Sequence, residues 1–318
     1  GLMRLAFLGP VGTFTELAAR SWASTPAASS LQLSHQPLEL VPFQSVLAEL
    51  DAVRSGEVDA AVIAYENSVE GSVTISLDGL SAKDPLVIVG EVVIPVSFAL
   101  LARPGTTMAM ISTVAAHSHA EPQCRRWLMQ NLPQSSFEPA ASNADAARLV
   151  QEGRWDAALA GAFAAERYGL EILADGIHDV DGARTRFVVV TRPMAPPPPT
   201  GDDKTTVVIF PRDDHPGGLA EILAEFSTRG INLARLESRP IGDGLGQYCF
   251  HIDAEGHVAS DEMGQTLLAL RQMCADVRFL GSYPRGHAPN EGGRGGDQQI
   301  NTSDPQQWLA EIRRGGHS

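Results

Sequence analysis

The sequence predicts an α/β protein with two domains, and three features support this fold class. At 318 residues, 43% of them apolar and 19% charged, the chain has the composition of an ordinary globular protein and is long enough for two hydrophobic cores. As far as Thr191, short apolar runs alternate with segments of helical periodicity, which is the pattern of strands joined by helices. Four consecutive prolines, Pro196 to Pro199, then interrupt the pattern and predict a domain boundary.

The N-terminal segment predicts a strand, a tight turn and a helix. The apolar residues 4–8 are followed by Gly9-Pro10-Val11-Gly12, and Thr13 with Glu16 has the spacing of a helix capping box. Backbone N–H groups converge at such a helix start and can bind a carboxylate or a phosphate, although a connection without any ligand fits the turn equally well. Neither the P-loop nor the G-x-G-x-x-G pattern is present, which disfavours a dinucleotide.

The alternation continues to Thr191 and predicts a mostly parallel sheet that is split into two lobes. Further strands are predicted over Glu39–Pro42, Ala60–Ala64, Leu86–Val92, Ser97–Ala102 and Val188–Thr191. Helices are predicted over Ser45–Ser55, Glu121–Asn131, Asn143–Glu152 and Gly161–Tyr168.

Beyond the prolines the order of elements becomes βαββαβ, which is the ferredoxin-like arrangement. Strands are predicted over Thr205–Phe210, Ile231–Pro240, Gln247–Asp253 and Val277–Ser282, with a hairpin turn at Gly242-Asp243-Gly244. Helices are predicted over Gly217–Arg229 and, capped by Ser260, over Asp261–Cys274. We therefore expect a first domain over 3–192, a proline-rich linker over 193–204 and a second domain over 205–283.

The tail, 284–318, is predicted to be flexible, because residues 285 to 301 are rich in glycine and polar side chains. Ser303-Asp304-Pro305 predicts the start of one short helix, which carries Trp308, Leu309 and Ile312.

The charge balance limits the possible partners. The formal net charge of −14, from 38 acidic and 24 basic residues, disfavours nucleic acid. An anionic small molecule would need a locally cationic pocket, so individual arginines matter more than the total.

Cysteine and histidine usage predicts neither a disulfide framework nor a metal site. Cys124, Cys249 and Cys274 are scattered and odd in number, as expected for reduced thiols in a cytoplasmic protein. His117-Ser118-His119 lacks a third ligand at suitable spacing. No apolar run reaches about 18 residues and the first residues lack a signal-peptide layout, so no membrane association is expected.

A polar cluster, Glu66-Asn67-Ser68-Val69-Glu70-Gly71, follows the predicted strand Ala60–Ala64. Ligands of α/β sheets bind beyond the carboxyl ends of strands, so Asn67 and Ser68 are candidates to orient a hydroxyl or a carboxylate. Gly71 would permit close approach of the backbone. The alternative is a loop that only turns the chain.

Thr185-Arg186-Phe187 brings a hydroxyl, a permanent cation and an aromatic ring to the start of a strand. An acyclic anion or a carboxylated ring could use all three. The tripeptide by itself also fits an ordinary strand start with a solvated arginine, because Thr and Phe favour strands.

In the second domain, a glycine turn at Gly217-Gly218-Leu219 opens a helix, Asn232 precedes a strand, and Glu237-Ser238-Arg239-Pro240 closes it. The turn offers backbone donors to a carboxylate and Asn232 can add to them, which suits a free amino acid. A pairing module without a ligand is the alternative.

Taken together, these segments resemble the prephenate dehydratase family over nearly all of residues 3–283. The matching motifs are Gly9-Pro10-x-Gly12-Thr13-Phe14-Thr15-Glu16, Glu66-Asn67-Ser68-x-x-Gly71-x-Val73 with Asp78 and Leu80, and Thr185-Arg186-Phe187. The second domain resembles the ACT regulatory domain through Pro216-Gly217-Gly218-Leu219 and Glu237-Ser238-Arg239-Pro240. Each motif is weak alone, whereas their order and spacing are specific.

The resemblance implies a catalytic domain of two α/β lobes, similar to type II periplasmic binding proteins, with the active site in the cleft. It implies catalytic roles for Thr185, Asn67 and Gln123. Substrate-binding roles are expected for Thr13, Phe14, Ser68, Gly71, Arg186 and Phe187, with Arg186 as the partner of a substrate carboxylate. Phenylalanine is expected to bind at an interface between ACT domains, through Gly217, Gly218, Leu219, Asn232, Leu233, Glu237 and Ser238.

The sequence departs from the family pattern at three places. The family's Ser-His-Pro-Gln stretch is Ala116-His117-Ser118-His119 here, which leaves the function of that segment open. An Asn that often precedes the catalytic Thr by two residues is Ala183 here. The regulatory Gly-Ala-Leu is Gly217-Gly218-Leu219.

The implied reaction is the decarboxylating dehydration of prephenate to phenylpyruvate in phenylalanine biosynthesis. Aromatisation drives this reaction, so neither a cofactor nor a metal is expected. The resemblance further implies a cytoplasmic carbon–oxygen lyase that phenylalanine regulates and that forms a dimer or homotetramer. Two alternatives remain: arogenate dehydratase, and a non-catalytic two-lobed receptor for an amino acid or keto acid.

Overall fold

The computed structural model describes residues 3–30, 38–82, 84–242, 247–287 and 298–316. The chain divides into two compact units, Gly1–Ala288 and Pro289–Ser318. The larger unit contains both α/β lobes and the C-terminal βαββαβ domain.

The first lobe is built on a six-stranded sheet. Its strands are β1 (Met3–Leu8), β2 (Leu38–Phe43), β3 (Ala60–Asn67), β4 (Gly71–Ser72), β5 (Val87–Pro95) and β11 (Arg184–Thr191). Its helices are α1 (Phe14–Ala23), α2 (Pro26–Ser30), α3 (Val46–Ser55) and α4 (Thr74–Leu80). The strand order is β2-β1-β3-β11-β5, and β4 pairs with β3. The predicted helix start at Thr13 is confirmed, because its hydroxyl accepts a hydrogen bond from the N–H of Glu16 at 3.3 Å.

The second lobe is built on a five-stranded sheet with the order β10-β6-β9-β7-β8. These strands are β6 (Ala99–Ala102), β7 (Thr113–Ala116), β8 (Ser136–Pro139), β9 (Ala157–Ala160) and β10 (Glu171–Ala174). Its helices are α5 (Glu121–Asn131), α6 (Asn143–Gln151) and α7 (Phe163–Tyr168), all close to their predicted positions.

The prediction of a mostly parallel sheet is wrong, because both sheets are mixed. β1 is parallel to β2 and β3, but β11 is antiparallel to both β3 and β5. In the second lobe β7 is parallel to β8 and β9, whereas β6 is antiparallel to β9 and β10. The chain enters the second lobe after β5 and returns as β11, which is inserted between β3 and β5 and so breaks the parallel order.

A β-bulge interrupts β3 beside the start of β11. The register pairs Arg186 with Glu66 but Phe187 with Ala64, which leaves Tyr65 as the extra residue. Tyr65 and Glu66 both contact the Arg186 guanidinium and thus lie on one face of the sheet. The bulge therefore breaks the usual alternation of side chains along this strand.

The C-terminal domain has the predicted βαββαβ order. Its elements are β12 (Asp203–Phe210), α8 (Gly218–Ser227), β13 (Leu233–Pro240), β14 (Tyr248–Glu255), α9 (Asp261–Met273) and β15 (Asp276–Pro284). The sheet order is β13-β14-β12-β15, with antiparallel pairs throughout. Ser260 caps α9 as predicted, and the predicted turn residues Asp243 and Gly244 lie outside the described residues.

The two faces of this C-terminal sheet have different partners. On one face, Ile222 and Phe226 of α8 pack into a cluster with Ile252. On the other face, Val208 and Leu280 share a hydrophobic cluster with residues of β3, α3 and β11 in the first lobe. The C-terminal domain is therefore attached to the first lobe through the helix-free side of its sheet.

The smaller unit contains α10 (Pro305–Arg313). Its start agrees with the predicted Asp-Pro signal, because Asp304 accepts a hydrogen bond from the N–H of Gln306 at 3.1 Å. Of the tail predicted to be flexible, residues 288–297 and 317–318 lie outside the described residues. Among the described helices, none is long and apolar enough to cross a membrane.

Candidate active site

A cavity of about 400 Å³ lies in the cleft between the two lobes. The turn that leads into α1 forms one wall, through Gly12, Thr13 and Phe14. The opposite wall belongs to the second lobe and to the segments that open α5, α6 and α7. Its polar and aromatic members are Phe98, His117, His119, Gln123, Ser142, Asn143 and Phe163.

The first wall is fixed by hydrogen bonds of its turn. Gly12 adopts a φ of +93°, which favours glycine, and its N–H donates to the Glu16 carboxylate at 2.6 Å. The Thr13 hydroxyl donates to the Leu8 carbonyl at 2.9 Å. From the second lobe, the Tyr168 hydroxyl donates to a carbonyl of the same turn at 2.6 Å. Of the residues predicted to bind substrate, Thr13 is therefore held at the cavity by both its backbone and its side chain.

Phe14 contributes an aromatic surface to the cavity. Its ring lies edge-on to Phe98 at 6.0 Å and to Phe163 at 5.3 Å between centroids. Phe98 in turn stacks on His178, with 5.6 Å between the ring centroids. An unsaturated ring could pack against these side chains.

Gln123 lines the cavity, but both ends of its amide already have partners. Its Nε2 donates to the His119 carbonyl at 2.9 Å, and its Oε1 pairs with His178 Nε2 at 2.8 Å. Sequence reasoning identified Gln123 and missed His178. His178 has no motif around it, and the only signal available was its place shortly before the returning strand.

Asn67 and Thr185 form the contact that brings the two predicted catalytic motifs together. They are paired residues of β3 and β11, and Asn67 Nδ2 donates to Thr185 Oγ1 at 3.0 Å. Asn67 Oδ1 accepts from the N–H groups of Val69 and Glu70 at 2.8 and 3.1 Å, which fixes the amide. Asn67 and Thr185 are not among the lining residues of the cleft cavity, so the structure places the predicted site residues in two groups.

Ser68 and Gly71 shape the loop beside this pair. The Ser68 hydroxyl accepts from the N–H of Arg184 at 2.8 Å, which ties the loop to the start of β11. Gly71 has a φ of +84° and pairs with Asn67 across the β3–β4 turn. The positive φ explains the glycine there.

Arg186 does not reach the cleft, which corrects the expectation that it binds a substrate carboxylate. Its side chain is buried and points to the C-terminal domain, where Nη1 donates to Asp253 at 2.5 Å and Nη2 to the Tyr283 hydroxyl at 2.7 Å. Its Nε forms an ion pair with Glu91, which also accepts from Lys204 Nζ at 2.8 Å. These partners hold the guanidinium beside the C-terminal domain, and Arg186 is not among the residues that line the cleft cavity.

Two buried carboxylates depend on this cation. Burial alone would raise the pKa of Glu91 and of Asp253, but Arg186 and Lys204 hold both pKa values below their ordinary range.

The expectation that Phe187 binds the substrate is corrected as well. Phe187 is buried in the core of the first lobe with residues of α1, and it packs there without reaching the cavity.

Around these charges the C-terminal domain makes further polar contacts with the first lobe. Arg235 Nε donates to Glu66 at 3.1 Å, and its guanidinium lies 5.0 Å from the centre of the Tyr65 ring. At the rim of the contact, Arg239 makes two hydrogen bonds to Asp78, at 3.0 and 2.8 Å.

The residues predicted to bind phenylalanine fall into two groups. Gly217, Gly218 and Leu219 line a cavity of about 350 Å³ at the start of α8. The acidic Asp213 and Asp214 line the same cavity. Gly217 adopts a φ of +84° as the first residue before the helix, so the turn is built as the sequence predicts.

The other group lies on and beside β13, away from that cavity. Asn232 donates to a carboxylate of β14 at 3.1 Å, and Leu233 packs against the domain core. Glu237 faces the first lobe and accepts from the Ser72 hydroxyl at 3.1 Å. Ser238 is exposed on the opposite face of the strand. One copy of the chain therefore does not bring all seven residues to a single pocket.

A two-lobed α/β domain with a polar cavity in its cleft and an attached βαββαβ domain is typical of one class of protein. Members of this class bind a small molecule between the lobes and carry a regulatory domain. The sequence profile of the prephenate dehydratase family matches residues 5–195, and that of the ACT domain matches residues 206–271. The curated prephenate dehydratase of Amycolatopsis methanolica is 44% identical over 314 residues, which are 99% of either chain.

Two solved structures are similar over most of the chain. The prephenate dehydratase of Arthrobacter aurescens, in complex with L-Phe, has a TM-score of 0.79 and 38% identity, and covers 98% of this chain and 99% of its own. GqqA, described as a novel type of quorum quenching acylase, has a TM-score of 0.75 and 31% identity, over 88% of this chain and 97% of its own. This chain belongs to the prephenate dehydratase family, whose members are lyases that act on prephenate.

Proposed function

We propose that the chain converts prephenate to phenylpyruvate and that the Thr185 hydroxyl donates the proton to the leaving oxygen. The hydrogen bond from Asn67 Nδ2 to Thr185 Oγ1, 3.0 Å long, carries the proposal. Because the Thr185 oxygen accepts this bond, its own hydrogen remains free to be donated.

The reaction balances with the groups at hand. The bond between the ring and its hydroxyl breaks as that oxygen takes up a proton and leaves as water. The bond between the ring and its carboxylate breaks, and the electron pair enters the ring, which becomes aromatic as CO₂ leaves. One proton is consumed per dianion, and solvent returns it to Thr185. Threonine is a weak acid, so transfer must accompany C–O cleavage, and such assistance contributes about 10²–10⁴ in rate.

The neighbouring residues support this step by positioning. Asn67 fixes the hydroxyl of Thr185, and Ser68 and Gly71 shape the loop that holds Asn67. We propose that Gln123 acts indirectly, since its amide connects the His119 carbonyl to His178. Thr13 and Phe14 are proposed to hold the substrate from the first lobe.

We further propose that phenylalanine binds at the start of α8 and regulates the reaction. The N–H groups after Gly217 would hold its carboxylate, and Asp213 or Asp214 its ammonium group. The similar Arthrobacter aurescens protein was solved in complex with L-Phe. Binding there can alter catalysis only if the effector prefers one conformation of the chain.

A homo-oligomer, dimer or tetramer, is proposed to complete this site. β13 is an edge strand, and its outward residues Leu236 and Ser238 are exposed. Pairing of two such edges would bring the β13 group of one copy towards the α8 cavity of another. The buried free thiols of Cys124, Cys249 and Cys274 suit a reducing compartment, and we propose the cytoplasm.

The deciding experiment supplies the purified chain with prephenate or with arogenate and follows phenylpyruvate and phenylalanine by absorbance, with and without added phenylalanine. We expect phenylpyruvate from prephenate and lower turnover when phenylalanine is present. Conversion of arogenate alone would replace the proposed substrate, and no conversion of either would favour a binding protein.

A pair of variants tests the regulatory cavity. Leu219→Arg places a long charged side chain in the α8 cavity and should abolish the response to phenylalanine while leaving turnover without effector intact. Leu268→Arg, on an exposed position of α9 in the same domain, is the matched control and should respond like the unmodified chain. An equal response of both variants would move the phenylalanine site elsewhere.

A further inference from the structure

The cleft cavity must accept an anionic substrate, yet its walls carry no permanent cation. Among the lining residues, all of which lie in the described ranges, there is neither a lysine nor an arginine. His117 and His119 are the lining side chains that can gain a positive charge. Prephenate has two carboxylates, and these two rings are the candidates among the lining side chains to meet one of them with a positive charge.

The backbone gives the two imidazoles different states. The N–H of His119 donates to Nδ1 of His117 at 3.1 Å, so this ring is kept neutral, with a hydrogen on Nε2. Burial lowers the pKa of His117 and the neighbouring His119 lowers it further, against an opposing effect of Glu70. The His119 side chain is exposed, and within the described residues no hydrogen bond engages its ring nitrogens. Within the described residues, the ring nitrogens of His119 are thus available to a ligand.

The position of His119 at the cavity is determined by its surroundings. Its carbonyl accepts from Gln123 Nε2 at 2.9 Å, and the N–H of His117 donates to Asn143 Oδ1 at 2.9 Å. The ring centroids of His117 and His119 are 4.7 Å apart in an edge-on arrangement. A substrate carboxylate would therefore meet a prearranged pair of rings.

Other titratable groups around this pair do not replace its charge. Glu70 faces His117 from the β3–β4 turn, and His178 is bonded to Gln123. Several charged residues of the helices around the cavity are paired with one another: Glu16 with Arg20, Glu121 with Arg125, and Asp145 with Arg148. Arg126 of α5 and Glu166 and Arg167 of α7 do not line the cavity.

We infer that His119 binds the side-chain carboxylate of prephenate, next to the Nε2–H of neutral His117. This inference rests on the proposed function. The retained carboxylate is the partner, because a cation on the ring carboxylate would stabilise the group that has to leave as neutral CO₂.

The test measures kcat and KM for prephenate, with the spontaneous reaction subtracted. His119→Gln, which replaces the imidazole by a neutral amide, should raise KM about tenfold and leave kcat within about twofold. His119→Lys carries a permanent cation and should keep KM low.

Arg125→Gln is the matched control, because it removes one positive charge from the first turns of α5 at a residue that does not line the cavity. Its KM should equal that of the unmodified chain. A His119→Gln variant whose KM also equals that of the unmodified chain would overturn the assignment of His119 while leaving the proposed function in place. Absence of turnover by the unmodified chain would overturn the proposed function, and this inference with it.

Discussion

The two faces of the β3–β11 strand pair differ in how much holds their residues in place. On the cleft side, Asn67 and Thr185 share one hydrogen bond and are partly exposed. On the other side, the adjacent Glu66 and Arg186 join a network of ion pairs with the C-terminal domain. Residues that are neighbours in sequence thus lie on two faces, one with few side-chain contacts and one with many.

The motif Thr185-Arg186 therefore contains two residues with separable roles. Thr185 should matter for the reaction rate and little for folding, because few contacts depend on it. Arg186 should matter for the attachment of the C-terminal domain, and through that attachment for regulation. The variants below test this separation.

The largest effect is expected for Thr185→Val, which removes the hydroxyl but keeps the shape of the side chain. We expect kcat to fall by about 10²–10⁴ without a comparable loss of stability. Thr191→Val, at the other end of the same strand, is the control and should retain turnover. Turnover of Thr185→Val close to that of the control would refute the proton-donor assignment.

Arg186→Met tests the opposite face. It leaves the Asp253 carboxylate buried without its main cation, so we expect a loss of about 3–5 kcal/mol in the free energy of urea unfolding. Adding Asp253→Asn should restore part of this loss. Arg239→Met removes a cation from the exposed rim pair with Asp78 and should cost no more than about 1 kcal/mol. Equal losses of unfolding free energy for the Arg186 and Arg239 variants would contradict the conclusion that the buried ion pairs stabilise this interface more than the exposed pair at its rim.

A smaller effect on stability is expected from Glu49. It lies on α3, whose residues share a hydrophobic cluster with the C-terminal domain, and its carboxylate has no described hydrogen-bond partner. Burial raises the pKa of Glu49 to about 9. Between about pH 4.5 and 9 the folded chain keeps a proton that the unfolded chain has released, so stability falls as the pH rises. Glu49→Gln should flatten this slope and gain about 1–3 kcal/mol at about pH 8.

The ion-paired carboxylates of Glu91 and Asp253 give stability the opposite dependence on pH. The lowered pKa values of Glu91 and Asp253 mean that their contribution is complete above the ordinary carboxyl range and is lost in acid. Unfolding curves at several pH values would separate the two kinds of carboxylate, and a flat profile in the unmodified chain would contradict both.

Much of the fold could be predicted from local signals. Capping residues such as Thr13 and Ser260 marked helix starts, and the βαββαβ order followed from apolar periodicity. The mixed strand directions could not be predicted, because they depend on where the returning strand β11 is inserted. No local pattern encodes that choice.

The site could be predicted only in part, because it also depends on contacts between residues that are distant in sequence. Asn67 and Thr185 were identified by their motifs, and the structure joins them. The role of Arg186 could not be predicted, because its partners Asp253 and Glu91 are distant in sequence and belong to different elements. His119 was left open because an isolated histidine gives no sign of a cavity that lacks other cations.

The β-bulge at Tyr65 has a consequence for how this chain can change. In a regular strand of the same residues, Tyr65 would lie opposite Arg186 and Glu66 opposite Thr185, so the carboxylate of Glu66 would take the position of the Asn67 amide. A negative charge would then confront a dianionic substrate, and an amide would sit opposite the arginines of the C-terminal domain. A substitution that straightened the strand without removing a residue would therefore invert both faces at once, whereas deletion of Tyr65 would leave Glu66 and Asn67 opposite Arg186 and Thr185.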